Sequence, residues 1–122
     1  LNKASAGKEK RMADHTVTIT ESGGVFVVDM RKLHTKEGKT VTFHNDTDDP
    51  MAIFFPERDL FSELKEQYTV VEVPARATSS AYTIKGAKQG AKTDNHYAYA
   101  VYCHTTGEFA VANSNPEIII DW

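Results

Sequence analysis

The chain is short of cysteine, of positive charge and of long apolar runs, and each shortage removes a class of protein. Cys103 is the only cysteine in 122 residues, which excludes an internal disulfide framework and the paired thiols of a CxxC redox site. Fourteen Lys and Arg stand against 17 Asp and Glu, for a formal net charge of −3, so the basic footprint expected of a nucleic-acid binder is missing. No apolar run approaches the roughly 20 residues that span a bilayer, and no signal-type apolar core of about 7–15 residues is present. The chain therefore reads as soluble, without a membrane-spanning segment. A leader removed before Leu1 would leave no trace, so the compartment does not follow from this.

Catalytic constellations are missing too. Neither HExxH nor the H-x-E…C-x-x-C spacing of zinc enzymes occurs, and there is no phosphate-binding glycine loop and no obvious pair of buried carboxylates. A reactive cysteine needs a base within hydrogen-bonding reach, whereas His104, adjacent to Cys103 in an extended chain, would face the opposite way. The sequence gives no reason to expect an enzyme.

What is present is strand-forming sequence. The length suits one domain with a single core. Residues 1–14, rich in Lys, Ala and Ser without periodicity, read as a disordered N-terminal tail, and the folded domain as residues 15–122. Val17 to Thr20 and Val25 to Met30, separated by Glu21-Ser22-Gly23-Gly24, suggest two strands about a turn. In Lys39 to Asn45 the residues Val41, Phe43 and Asn45 alternate with Thr40, Thr42 and His44, the pattern of a half-buried strand. Asp46 to Pro50 is turn chemistry, and Met51 to Phe55 is a short buried-strand pattern. Pro56 to Tyr68 carries Leu60, Phe61, Leu64 and Tyr68 on one helical stripe and suggests two to three turns of helix. Thr69 to Val73, Thr78 to Ile84, Tyr97 to Cys103 and Glu117 to Asp121 are further strands, with a Gly/Lys loop at Gly86 to Asn95 and a short ordered piece expected at Phe109 to Ala112. In Tyr97 to Cys103 the residues Tyr97, Tyr99, Val101 and Cys103 share one parity and face one way. Seven or eight strands and one short helix make an antiparallel sandwich.

Two motifs in this order resemble the cupredoxins, the small blue-copper β-sandwiches of the plastocyanin type. Gly38-Lys39-Thr40-Val41-Thr42-Phe43-His44-Asn45, followed by a turn ending Pro50-Met51, is similar to the family's Gly-x-x-Val-x-Phe-x-Asn strand, turn and Pro-His. Tyr99-Ala100-Val101-Tyr102-Cys103 is similar to its Tyr-x-Phe-Tyr-Cys strand. The resemblance implies an all-β, cupredoxin-like Greek-key sandwich and an exported, periplasmic or extracellular, protein. It also implies a degenerate copper site. The family's first histidine position is Met51 here, the position of the second is Thr106, and no methionine follows Met51 to act as axial ligand. Only Cys103 carries over from the two-imidazole, one-thiolate set.

Two expectations follow. The first is a cupredoxin-like binding or interaction module for a protein partner, with no cofactor expected. The second is a copper protein, either with a soft Cu(I) site at Met51 and Cys103 joined by His104 if the strand bends there, or with ligands relocated among the five histidines to support electron transfer. Among the remaining residues, Asn45 resembles the family residue that hydrogen-bonds near the copper loop, and Asn45-Asp46-Thr47 also fits the N-x-[ST] glycosylation pattern. Asp46, Asp48 and Asp49 read as a hydrophilic turn.

Overall fold

A computed structural model describes residues 13–56, 60–64, 69–85, 96–110 and 116–120 of the chain. Its strands are β1 (His15–Ser22), β2 (Val25–Val28), β3 (Lys32–Thr35), β4 (Thr40–Asn45), β5 (Met51–Phe55), β6 (Thr69–Val73), β7 (Tyr82–Thr83), β8 (His96–Ala98), β9 (Ala100–Cys103), β10 (Glu108–Phe109) and β11 (Glu117–Ile120). They form three sheets, ordered β2-β1-β4-β7, β10-β9-β5-β6 and β3-β11-β8. The count exceeds the seven or eight expected because several strands are only two to four residues long.

Local chemistry sets the first hairpin. Gly23 and Gly24 both take positive φ, 59° and 82°, and Ser22 pairs with Val25 across them. Two consecutive left-handed residues make the turn whose twist matches that of paired strands, and glycine adopts it without strain. Period-two alternation then buries Val17 and Ile19 of β1 together with Val41, Phe43 and Asn45 of β4. The two strands run parallel, with Val17 opposite Phe43 and Ile19 opposite Asn45.

The core is one cluster fed by all three sheets. At its centre Phe55 lies 5.5 Å from Phe43, 5.2 Å from Phe61 and 5.4 Å from Tyr99, measured between ring centroids, within the range where tilted and edge-on rings attract.

Three stretches depart from their expected form. The helix expected over Pro56 to Tyr68 is not formed in its described part, Pro56 and residues 60–64; residues 57–59 and 65–68 lie outside the described residues. Phe61 makes an antiparallel bridge with Ile84, Ser62 N–H donates to Thr83 O and Lys85 N–H donates to Leu60 O, both at 2.9 Å. Leu60 and Phe61 are both buried, so pairing with the β7 segment satisfies their backbone while both side chains enter the core, where a short isolated helix would be marginal. The strand expected over Thr78 to Ile84 is interrupted. Thr78 bridges His44 and Tyr82 and Thr83 join the β4 ladder, while between them the Ser79 hydroxyl takes the Phe43 N–H at 3.0 Å and replaces a ladder acceptor with a side chain. The long late strand divides at Tyr99 into β8 and β9, which belong to different sheets, and Tyr99 N–H donates instead to Pro116 O at 3.0 Å. The parity expected across this run holds through the break, with Tyr97, Tyr99, Val101 and Cys103 all buried.

The sequence pattern did not reveal β3, where Leu33 is the only apolar residue; it forms because β11 runs parallel to it from Lys32 to Thr35. Asp14 is fastened to the sheet, its carboxylate accepting the Thr40 N–H at 2.9 Å, which holds its pKa below the ordinary carboxylate value. The rest of the expected tail, residues 1–12, lies outside the described residues, as does the Gly/Lys loop at 86–95.

Candidate functional site

Strands β5 and β9 meet in antiparallel register with Met51 directly opposite Cys103. Directly opposed residues share a face, with Cα atoms about 4.5–5.5 Å apart, so the two sulfur side chains are neighbours on the inner face. Neither reaches solvent: Met51 is 0% exposed and Cys103 1%. The end of the sandwich at which they meet is closed from both sides by the loops that leave β4 and β9.

The first closure is built by Asn45. Its fully buried amide nitrogen donates toward Asp49 O at 2.8 Å, Val73 O at 3.0 Å and Pro74 O at 3.2 Å. Its oxygen accepts the Thr47 N–H at 3.1 Å and the Thr47 hydroxyl at 2.7 Å. One side chain thus ties the loop before Met51 to the end of β6, and every polar group it buries is satisfied. This gives physical content to the hydrogen-bonding role implied by the resemblance. It also removes the glycosylation reading from the folded protein, since the Asn45 amide has no access to solvent.

The neighbouring acidic turn is answered by Arg76, whose backbone sits at φ 60°. Its guanidinium bonds Asp46 Oδ1 at 2.8 Å and Asp48 Oδ1 at 3.0 Å, and its N–H donates to Thr47 O at 3.1 Å. The hydrogen bond and charge of Asp48, followed by those of Asp46, push the arginine pKa further up. Asp46 and Asp48 therefore belong to an ion-paired turn, in keeping with the hydrophilic reading.

The second closure is the hairpin joining β9 to β10. Cys103 pairs with Glu108 and Tyr102 with Phe109, leaving His104, Thr105, Thr106 and Gly107 as the turn. Gly107 N–H donates to Cys103 O at 2.9 Å, and Gly107 closes the turn at φ 73°, a conformation that favours glycine. Thr106 lies exposed on this turn. His104 N–H donates to Pro50 O at 3.2 Å, which pins the two ligand-position loops together.

Of the three residues singled out as metal ligands, the structure brings Met51 and Cys103 together and places the third elsewhere. β9 ends at Cys103, but the His104 ring turns to the outer face, where Nε2 lies 2.8 Å from Glu72 Oε1 and the ring stands edge-on to Tyr102 at 5.7 Å. Among the described residues no three His, Cys, Asp or Glu side chains gather into a group able to hold a metal. The two-imidazole, one-thiolate copper set does not fit these residues, since the imidazole nearest in sequence to Cys103 is committed to Glu72. Two soft sulfurs remain as the donor set on the inner face. His44 Nδ1 lies 2.8 Å from Thr78 Oγ1 and His15 Nε2 lies 3.0 Å from Thr35 Oγ1, so neither is directed at the sulfur pair.

The outer face carries features that the sequence reading missed. Phe109 stands on Tyr102 at 5.1 Å between ring centroids and is 59% exposed. With His104 the two rings form an aromatic group on the surface of β9 and β10, bordered by Glu72. Alternation marks Tyr102 and Glu72 as outward-facing; their proximity depends on the order of β9, β5 and β6, which no local pattern contains.

This sandwich, with its crossed strand order and its Asn-clamped loop beside a strand-end cysteine, has a cupredoxin-like fold. Solved structures of amicyanin variants superpose on it. An oxidised variant with a methionine-to-leucine substitution matches with a TM-score of 0.58 at 18% identity over 91% of this chain and 87% of that one. The corresponding methionine-to-lysine variant gives 0.57 at 18% identity over the same shares, and a Cu(I) methionine-to-alanine variant 0.55 at 18% identity, again over 91% and 87%. At this identity the likeness is one of fold. No protein-family model matches the sequence, and no curated protein matches it.

Proposed function

We propose that this chain is a non-enzymatic interaction module on a cupredoxin scaffold, acting in an exported compartment and meeting a protein partner through the outer surface of β9 and β10. The observation that supports this reading is the exposed aromatic group: Phe109, 59% exposed, rests on Tyr102, which in turn meets His104. Exposed aromatic clusters beside charged rims are characteristic of contact surfaces. A family resemblance favours export, and no described helix is long and apolar enough to cross a membrane. A photo-crosslinking side chain placed at Phe109 in the native host tests it. A discrete protein adduct is expected from position 109, absent from a control at Val25 on another sheet and lost when Tyr102 is changed to Ala. Equal adducts from both positions, or none from 109, would overturn the reading.

A second reading rests on the opposition of Met51 and Cys103 in the β5–β9 register. Thiolate and thioether are the donors that select Cu(I), so this pair would hold a Cu(I) ion on the inner face. Competition titration under reducing conditions tests it: affinity should fall in both Met51→Leu and Cys103→Ser, and unchanged affinity in both eliminates the site.

A further inference from the structure

The first sheet ends on a strand of unusual composition. β2 is the outer member of the order β2-β1-β4-β7, and its residues are Val25-Phe26-Val27-Val28. Sheet edges are ordinarily guarded by charge, by proline or by shortness, because their unpaired backbone groups invite another strand. The other edge strands among the described residues follow that rule. β6 carries Glu72, β3 carries Lys32 and His34, and β8 carries His96, while β7 and β10 have two residues each. β2 alone is wholly apolar, and its Val25 is 44% exposed.

The backbone phase of β2 follows from its partner. Asp29 N–H donates to Thr18 O at 3.0 Å, and successive residues of a strand turn their N–H and C=O groups to opposite sides. Val25, Val27 and Asp29 therefore aim theirs at β1, and Phe26 and Val28 aim theirs away from it. No strand lies on that far side among the described residues. The side chains of Phe26 and Val28 are buried in the core, at 4% and 2% exposure, so only their backbone groups face the open edge.

We propose that this edge pairs with the same edge of a second copy of the chain, β2 running antiparallel to β2 about a two-fold axis at Val27. In this register Phe26 is opposite Val28 of the second copy, so the outward N–H and C=O groups of both residues are satisfied in both chains. Val27 is opposite Val27 of the second copy and Val25 is opposite its Asp29, whose carboxylate is held by the Thr18 N–H at 2.9 Å. No like charges are opposed, which would destabilise the pair, and no core side chain has to move. The two four-stranded sheets become one continuous sheet. An edge of four residues spans only about 13 Å and buries far less than the roughly 800 Å² per partner of a stable complex. The dimer is accordingly a weak, rapidly exchanging one, populated at high protein concentration. It lies on another sheet from the Tyr102 and Phe109 surface and leaves that surface open.

The test is sedimentation and amide NMR of the full chain over a hundredfold range of concentration. The average mass should rise reversibly from one chain toward two, and the amides of Phe26 and Val28 should shift and gain exchange protection while those of Val25 and Val27, already bonded to β1, change little. Val27→Lys sets two ammonium groups opposite each other and should weaken association at least tenfold, whereas Val70→Lys on β6 should leave it unchanged; circular dichroism verifies that both variants keep the sandwich. The register has its own check, which needs no destabilising change. Directly opposed residues of a non-hydrogen-bonded pair have Cα atoms about 4.5 Å apart, within the span of a disulfide. With oxidised glutathione as the oxidant, Val27→Cys should therefore give a covalent dimer, and neither Val25→Cys nor the unaltered chain, whose Cys103 is buried, should do so. A photo-adduct from Val25 with a second copy has twice the chain mass, which separates it from a partner adduct at Phe109. A mass that stays at one chain throughout, concentration-dependent shifts at another edge instead of Phe26 and Val28, or cross-linking from position 25 but not from 27, would overturn the proposal.

Discussion

Met51 and Cys103 face each other across β5 and β9 with both side chains sealed from solvent. The pair occupies the end of the sandwich where the resemblance implies one imidazole and one thiolate. Replacing the imidazole with a thioether turns a hydrophilic ligand position into part of the apolar core. The two loops that flank it are held by Asn45 and by the Cys103–Gly107 turn, through contacts made within the chain.

Packing at this pair is expected to tolerate change of shape better than loss of volume. Met51→Leu should cost less than about 1.5 kcal/mol, and Met51→Ala about 2–5 kcal/mol. Cys103→Ser, which buries a hydroxyl in place of a thiol, should cost about 1–3 kcal/mol unless the hydroxyl finds an acceptor. Urea denaturation of the three variants checks the order; a Met51→Ala variant as stable as Met51→Leu would show that the site collapses freely.

The Asn45 clamp should be worth more than any single surface interaction. Asn45→Ala removes the amide that ties Asp49, Val73 and Pro74 together and takes this donor from the buried Val73 carbonyl, for an expected loss of about 1–3 kcal/mol. Hydrogen exchange should show the loss concentrated at Thr47 and Asp49. Uniform weakening of all three sheets would instead assign Asn45 to global packing.

Tyr99 is 1% exposed, and its buried hydroxyl has no hydrogen-bond partner among the described residues. Burial, aided by the charge of Asp29, pushes its pKa well above the ordinary phenol value. The folded state therefore holds this proton more tightly than the unfolded chain. The contribution is fully present below the unfolded value of about 10 and is lost as pH rises toward the folded value. Tyr99→Phe should be neutral or stabilising by up to about 1 kcal/mol at neutral pH and should flatten the alkaline fall in stability. Denaturation curves at neutral pH and above pH 10 measure both effects; an unchanged alkaline slope would mean that the phenol does not drive it.

Copper chemistry should be recoverable if Met51 and Thr106 occupy the former histidine positions. The unaltered protein is expected to show no intense thiolate-to-copper band with Cu(II). The double variant Met51→His with Thr106→His supplies two imidazoles beside Cys103 and should show one, shifted from blue toward green because ligands must be held to about half an ångström for the regular geometry. Each single variant should stay nearly colourless. A folded double variant without the band would show that the Cys103–Gly107 turn holds position 106 out of reach.

The sequence by itself determined which residues are buried wherever a strand alternates. The inward sets of β4 and of Tyr97 to Cys103 follow from period two and survive even the division of the latter run at Tyr99. That positions 51 and 106 carry no histidine and that no methionine follows Met51 was equally plain, because it is a matter of residue type. Tertiary structure decided everything that depends on which strands are neighbours. Leu60 and Phe61 sit on a helical stripe in sequence, yet the segment bridges to Ile84, since pairing there satisfies the backbone while burying both side chains. β3 has too few apolar residues to announce itself and forms along β11. His104 stands next to Cys103 in sequence, but its ring meets Glu72, which is distant in sequence and close only because β6, β5 and β9 lie side by side. Local periodicity determines the face of a strand, and long-range backbone pairing determines what that face meets.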